Sequence, residues 1–137
     1  KPSKLEKADL NLMNNLTNKV NELIEDMNKQ DLNSYMKKVV EFSFSANKYF
    51  NDLEPWALKK TNIERMNTIL YSIVTQIKNI SILLSPIIPI SSNKILDIMN
   101  LPKECRLLKA IHDINIFDHN LEFKKISILF KKIENDN

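Results

Sequence analysis

The sequence predicts an all-α fold, an antiparallel helical bundle with a C-terminal tail packed on it. Three observations carry that expectation. Apolar residues recur at steps of three and four over most of residues 7–100, the period of a helix with one buried face. Glycine is absent from all 137 residues, whereas tight hairpin turns depend on glycine for positive φ. Prolines stand between the periodic stretches and not inside them, where the ring would remove a backbone donor and break a helix.

The elements follow in order. Leu12, Leu16, Val20, Leu23, Ile24 and Met27 form one stripe, which predicts a first helix over about 7–29. Asp31 is placed to cap the next helix, since its carboxylate can accept from freed backbone N–H groups. That second helix, about 32–53, has a wide apolar face that runs from Leu32 through Tyr35, Val39, Val40, Phe42, Ala46, Tyr49 and Phe50 to Leu53. Pro55 ends it by disfavouring helical geometry at Glu54. The third helix, about 62–85, has the clearest period: Ile63, Met66, Leu70, Ile73, Ile77, Ile80 and Leu84. Its β-branched residues favour strands locally, but the period decides for helix. Thr61 or Asn62 caps its start and Pro86 marks its end. The segment SPIIPISSNKILDIMNL then bends, and Ser91 or Ser92 caps a short helix over about 91–100 that carries Ile95, Ile98 and Met99. Residues 103–137 form the tail. KECRLLKAIHDIN reads as one further short helix and LEFKKISILFKKIE as an extended segment on the bundle, with Glu134 to Asn137 frayed. There is no internal repeat and no linker, so residues 1–137 are read as a single domain.

Hydrophobic residues make up 43% of the chain, enough to bury a core. The lack of glycine removes phosphate-cradling loops and nucleophile elbows, which need it for close backbone approach. Lys, Asn and Ile are abundant and all have AT-rich codons, which offers a bland origin for any single Asn or Lys. The net charge is +3, from 20 basic and 17 acidic residues. An RNA partner would therefore be held by local contacts more than by a global field. The single cysteine, Cys105, fits a reducing compartment. No run of about 18 apolar residues predicts a membrane span, and KPSKLEKADL has no hydrophobic signal region. A cytoplasmic location without membrane contact is expected.

The search for chemistry finds no catalytic set. His112 and His119 are seven apart, unlike the i, i+4 spacing of a helical metal pair, and read as surface histidines. Cys105 has no base partner in the sequence and reads as a small buried residue. Glu22, Glu25 and Asp26 read as a solvated face, and the methionines as core. No metal and no cofactor are expected in this chain.

What remains is the break ANKYFNDLEPWALKK, residues 46–60, which holds the only Trp. Asn47, Lys48 and Asn51 share one helix flank, and Pro55 and Trp56 follow a turn later. Asn and Lys can bond bases or phosphates, and an indole face can stack an unpaired base for about 1–3 kcal/mol. The competing reading makes Trp56 a cap that seals the bundle beneath the loop. On residue chemistry alone the cap is favoured.

The block SANKYFNDLEPWALKK, followed by ERMNTILYSIVTQIKNISILLSPIIPISSNKILDIMNL, resembles the C-terminal anticodon-binding domain of methionyl-tRNA synthetase. The shared features are Ala46-Asn47-x-Tyr49, Pro55-Trp56, Lys59, the long apolar helix, the Leu-Ser-Pro-Ile-Ile-Pro turn and the Lys94-Ile95-Leu96 helix. The end, Leu129-Phe130-Lys131-Lys132-Ile133-Glu134, is similar to the family's closing segment, with Lys131 in place of a proline. Pro-Trp before a helix is shared with the related synthetases for isoleucine, valine, leucine and cysteine.

The resemblance implies that Trp56 stacks on the first anticodon base, a cytosine, and that Pro55 shapes the turn presenting it. It implies that Asn47 and Asn51 lie near the splayed bases and that Lys59, with Lys60, contacts phosphate. Many family members carry an acid where Asn51 stands, and Asn51 has no such charge to repel wrong anticodons. The family's first helix, with its base-reading Asn and Arg, is expected to lie before Lys1. The HIGH-like and KMSKS-like signatures are absent, so the chain is expected to be a C-terminal fragment of a longer enzyme. The implied parent reaction charges tRNA(Met) with methionine using ATP and Mg. The implied partners are that tRNA and the enzyme's own catalytic domain. The alternatives are the anticodon-binding domain of an isoleucyl or cysteinyl enzyme, or a non-catalytic helical protein–protein interaction domain. A bundle short of one helix is also expected to self-associate or to be marginally stable.

Overall fold

The computed structural model describes residue 2, residues 4–113, residue 117, residues 123–125 and residue 129. Among the described residues there are five α-helices: α1 Lys7–Thr17, α2 Val20–Asn28, α3 Leu32–Leu53, α4 Ile63–Leu84 and α5 Pro89–Ile98. Among the described residues there is no strand. The helices pack as a bundle around α4, which contacts α1, α3, α5, the elbow at residues 55–59 and the turn at residues 108–111. Among the described residues no helix is long and apolar enough to cross a membrane.

The expected first helix is two. At Asn18 and Lys19 the ladder tightens, with the Lys19 N–H donating to the Leu16 carbonyl at 3.0 Å. The Thr17 hydroxyl donates back to the Met13 carbonyl at 3.2 Å, a contact that bends helices. The apolar stripe continues across the turn because the backbone at Asn18 stays right-handed, so periodicity alone does not register the interruption.

The Asp31 cap forms: the Ser34 N–H donates to its carboxylate at 3.0 Å and the Ser34 hydroxyl at 2.7 Å. Tyr35, Val39, Phe42, Ala46 and Tyr49 of α3 are buried, while Leu32 and Val40 turn outward. Asn62 caps α4, accepting from the Arg65 N–H at 3.0 Å. Helix α5 starts at Pro89, earlier than Ser91 or Ser92. Proline at a first helical position has φ already set and lacks only a donor that would go unused. Ser92 is buried instead.

With no glycine to take left-handed geometry, three helix ends use other residues: Gln30 (φ 59°), Glu54 (φ 41°) and Asn100 (φ 50°). Each departs from the usual preference of L-residues at some local cost. The turns close regardless. The Asp31 N–H reaches the Asp26 carbonyl at 2.9 Å and the Leu101 N–H reaches the Leu96 carbonyl at 3.0 Å, the backbone bonds of a Schellman end.

The stripe that best predicted a helix is not the face α4 buries. Ile63, Leu70 and Ile77 are exposed, and only Ile80 of the seven is buried. The buried row lies one residue earlier: Ile69, Ser72, Gln76, Asn79 and Leu83. Small hydroxyl residues let neighbouring helices approach; Thr68 and Ser72 are satisfied within the helix, whereas Thr75 Oγ1, both amide atoms of Gln76 and Asn79 Oδ1 are buried without a hydrogen-bond partner among the described residues. Thr68 donates to the Glu64 carbonyl and Ser72 to the Thr68 carbonyl, both at 3.0 Å.

The tail corrects another expectation. Of KECRLLKAIHDIN, residues 103–113 hold two short 3₁₀ turns, Lys103–Cys105 and Leu108–Ile111, in place of one helix, and the last two residues lie outside the described ones. Ala110 and Ile111 pack into the core, while Cys105 is half-buried. Lys78, on α4 and fully buried, donates its Nζ to the Ala110 carbonyl at 2.7 Å and the Asp113 carbonyl at 3.2 Å. Arg106 fastens the same region to α5, donating to Asp97 at 2.6 Å and to Asn93 at 3.0 Å. The Lys124 N–H donates to the Ile98 carbonyl at 3.0 Å. His112 is exposed. His119, Glu134 to Asn137, and all of the closing segment except Leu129 lie outside the described residues.

Candidate nucleic-acid interface

Helix α3 ends when Glu54 takes left-handed geometry, and Pro55 opens a 3₁₀ helix over Pro55–Lys59. The Ala57 N–H closes it onto the Glu54 carbonyl at 2.9 Å, and the Asn62 N–H returns to the Leu58 carbonyl at 2.9 Å. A 3₁₀ helix has three residues per turn, so i and i+3 eclipse. Pro55 and Leu58 therefore share the inner edge: Pro55 is buried, and Leu58 packs against the small core cluster of Leu12, Ala46, Tyr49 and Ile69. Trp56 and Lys59 share the outer edge, and both are exposed.

Trp56 keeps 56% of its surface in solvent. A ring sealing the bundle would be buried, and this one is exposed. The indole packs edge-to-face with Phe50, with ring centroids 5.5 Å apart and an interplanar angle of 63°. Asn47 lies three residues before Phe50 and Asn51 one residue after it, and both side chains are exposed. Lys48 faces another way and pairs with Asp52 at 2.7 Å. The structure thus gathers Trp56 and Lys59 on one edge of the turn. Asn47 and Asn51 are exposed on the last two turns of α3, and Pro55 is buried beneath the turn.

Sequence reasoning missed the frame itself. Asp9 is fully buried in the first turn of α1. Its carboxylate accepts from the Glu6 backbone N–H at 2.8 Å, from the Tyr49 hydroxyl, and from both terminal nitrogens of Arg65 at 2.6 and 3.0 Å. Burial alone would raise the Asp9 pKa, but the hydrogen bonds from Arg65 and Tyr49 outweigh it and hold the carboxyl below its ordinary value. Burial, then the Asp9 carboxylate, push the Tyr49 phenol well up. An acid three residues after Glu6 at a helix start reads as a local cap. Nothing in the spacing of residues 9, 49 and 65 announces their meeting. Among the described residues no group of three His, Cys, Asp or Glu side chains is placed to hold a metal ion.

The class of protein to which this helical bundle belongs is that of the anticodon-binding domains of aminoacyl-tRNA synthetases. All of residues 1–137 match the family described as the anticodon binding domain of methionyl tRNA ligase, and the chain belongs to that family. A methionine–tRNA ligase of Rickettsia felis is 34% identical over 110 residues, 80% of this chain and 22% of the relative. One from Rhizobium meliloti is 37% identical over 82 residues, 60% of this chain and 16% of the relative. The free-state crystal structure of Mycobacterium tuberculosis methionyl-tRNA synthetase superposes with a TM-score of 0.78 at 24% identity, covering 82% of this chain and 23% of that one. The match spans about a fifth of the length of the Rickettsia relatives.

Proposed function

We propose that this chain is the anticodon-reading part of a methionine–tRNA ligase. It docks the anticodon loop of tRNA(Met) and holds the first base, a cytosine, against the indole of Trp56. The exposure of that ring, in a chain of this family, is the observation that carries the reading. Lys59, on the same edge, is suited to a phosphate contact, with Lys60 next to it. Asn47 and Asn51 offer amide donors and acceptors to base edges, and Pro55 holds the turn.

Activation of methionine with ATP and Mg belongs to a catalytic domain of the same enzyme, the second partner of this one. The greater length of the relatives supports that division. A cytoplasmic location, among the tRNA pool, goes with this role and with a single unpaired cysteine. The exposed row Ile63, Leu70 and Ile77 supports self-association of the chain in isolation.

Equilibrium binding to anticodon stem–loop RNA tests the reading. Trp56→Ala should weaken binding of the CAU loop by about 1–3 kcal/mol, roughly 5- to 150-fold, with helicity unchanged. Loops from isoleucine and cysteine tRNAs should bind more weakly than CAU to the unsubstituted chain. Equal affinity of the substituted and unsubstituted chains for CAU would reject it.

A further inference from the structure

The elbow has little of its own to hold it in place. Within residues 54–62 only Pro55 is buried and Leu58 half-buried; the rest are exposed. The direction in which Trp56 points therefore depends on the helix ends on either side, together with the Phe50 ring and the Pro55 and Leu58 anchors.

Those ends are joined through a third helix. Asp9 enters from α1 and takes both terminal nitrogens of Arg65, which stands in the first turn of α4, just after the elbow. It also takes the hydroxyl of Tyr49, one turn before α3 runs into the elbow. Arg65 is braced by Glu6 at 3.3 Å. A buried ion pair is a poor source of net stability, because desolvation offsets most of its attraction. It is a good source of fixed geometry, since a planar guanidinium fork accepts few orientations of a carboxylate. Fixed geometry at both helix ends is what a stacking platform on a short turn requires.

We propose that Asp9 is a positioning residue for nucleobase recognition. Through Arg65 and Tyr49 it clamps the two helix ends that carry the elbow, and so fixes the direction in which Trp56 faces RNA. The inference rests on the anticodon-reading assignment above and extends it to a residue buried away from the RNA.

The 137-residue chain, a CAU stem–loop and a double-substitution cycle test it. Asp9→Asn keeps the shape of the side chain but loses its charge; Tyr49→Phe is the milder variant should Asp9→Asn melt too low to assay. Each is expected to weaken RNA binding by about 3- to 10-fold in the Trp56 background. In the Trp56→Ala background each is expected to cost less than about 2-fold, the coupling typical of groups acting as a unit. Equal losses in both backgrounds would overturn the proposal, because Asp9 would then act on folding alone. Full affinity in a folded Asp9→Asn variant would overturn it as well.

A second readout does not depend on RNA. Backbone amide exchange at Ala57 and Asn62, whose N–H groups close the elbow, should accelerate in Asp9→Asn more than exchange inside α3. Unchanged elbow exchange overturns the clamp. Loss of RNA binding selectivity in the unsubstituted chain with faster elbow exchange in the variant overturns the anticodon reading and leaves the clamp standing.

Discussion

Asp9 is a carboxylate with no water around it, ionised because two side chains and a backbone N–H share its charge. Its pKa is lower in the folded chain than the ordinary value of 3.8. Where a carboxyl binds its proton more weakly folded than unfolded, its contribution to stability is present above the unfolded pKa. It is lost as pH falls through the folded one. Removing Asp9 should therefore matter at neutral pH and cease to matter in acid. The gap in melting temperature between the chain and Asp9→Asn is expected to be widest above about pH 5 and to shrink steadily below pH 4. A gap that stays constant down to pH 2 in a thermal melt series would show that the charge of Asp9 contributes nothing. Asp31 and Asp97 also have lowered pKa values, from Ser34 and Arg106 respectively. The difference between the two chains, not the acid melting of either, is therefore the informative quantity.

Helices were legible in this sequence to the extent that their period was, and faces less so. The stripe Ile63, Met66, Leu70, Ile73, Ile77, Ile80 and Leu84 correctly predicts a helix and wrongly predicts which side is buried. A lone amphipathic helix buries its apolar side, but α4 is surrounded by α1, α3, α5 and the tail. The row it buries most fully includes Ser72, Gln76 and Asn79 beside Ile69 and Leu83. Burial of Lys78 was illegible for a similar reason, since its acceptors are carbonyls of Ala110 and Asp113, distant in sequence. Asp31 and Asn62 were legible as caps because a cap is a local event. Ile69→Ala, which opens a fully buried site, should cost about 2–5 kcal/mol in denaturant unfolding. Ile63→Ala, at 61% exposure, should stay within about 0.5 kcal/mol and lower self-association in sedimentation. The reverse ranking would restore the apolar stripe as the core face.

At the scale of the whole molecule, the three functional layers stand in series. A core of mostly apolar side chains holds α3 and α4 together. The Asp9 network joins their ends to α1. The elbow then carries one exposed aromatic ring on its outer edge. Composition made the fold class legible, since a chain without glycine has few routes to hairpins. The site was half legible: the residues at the elbow stand out in sequence, whereas the exposure of Trp56 depends on the 3₁₀ phase that turns Pro55 and Leu58 inward. The modest net charge of +3 agrees with recognition through one stacked base and few phosphates, and with a shallow dependence of binding on salt.

Because Trp56 is the only tryptophan, its emission reports on this one surface. Titration of the chain with a CAU anticodon stem–loop should quench that emission saturably, and replacing the first loop base of the triplet with a purine should remove most of the quenching. Binding of the CAU loop with emission unchanged, or equal quenching by every loop, would show that the indole does not stack on the first anticodon base.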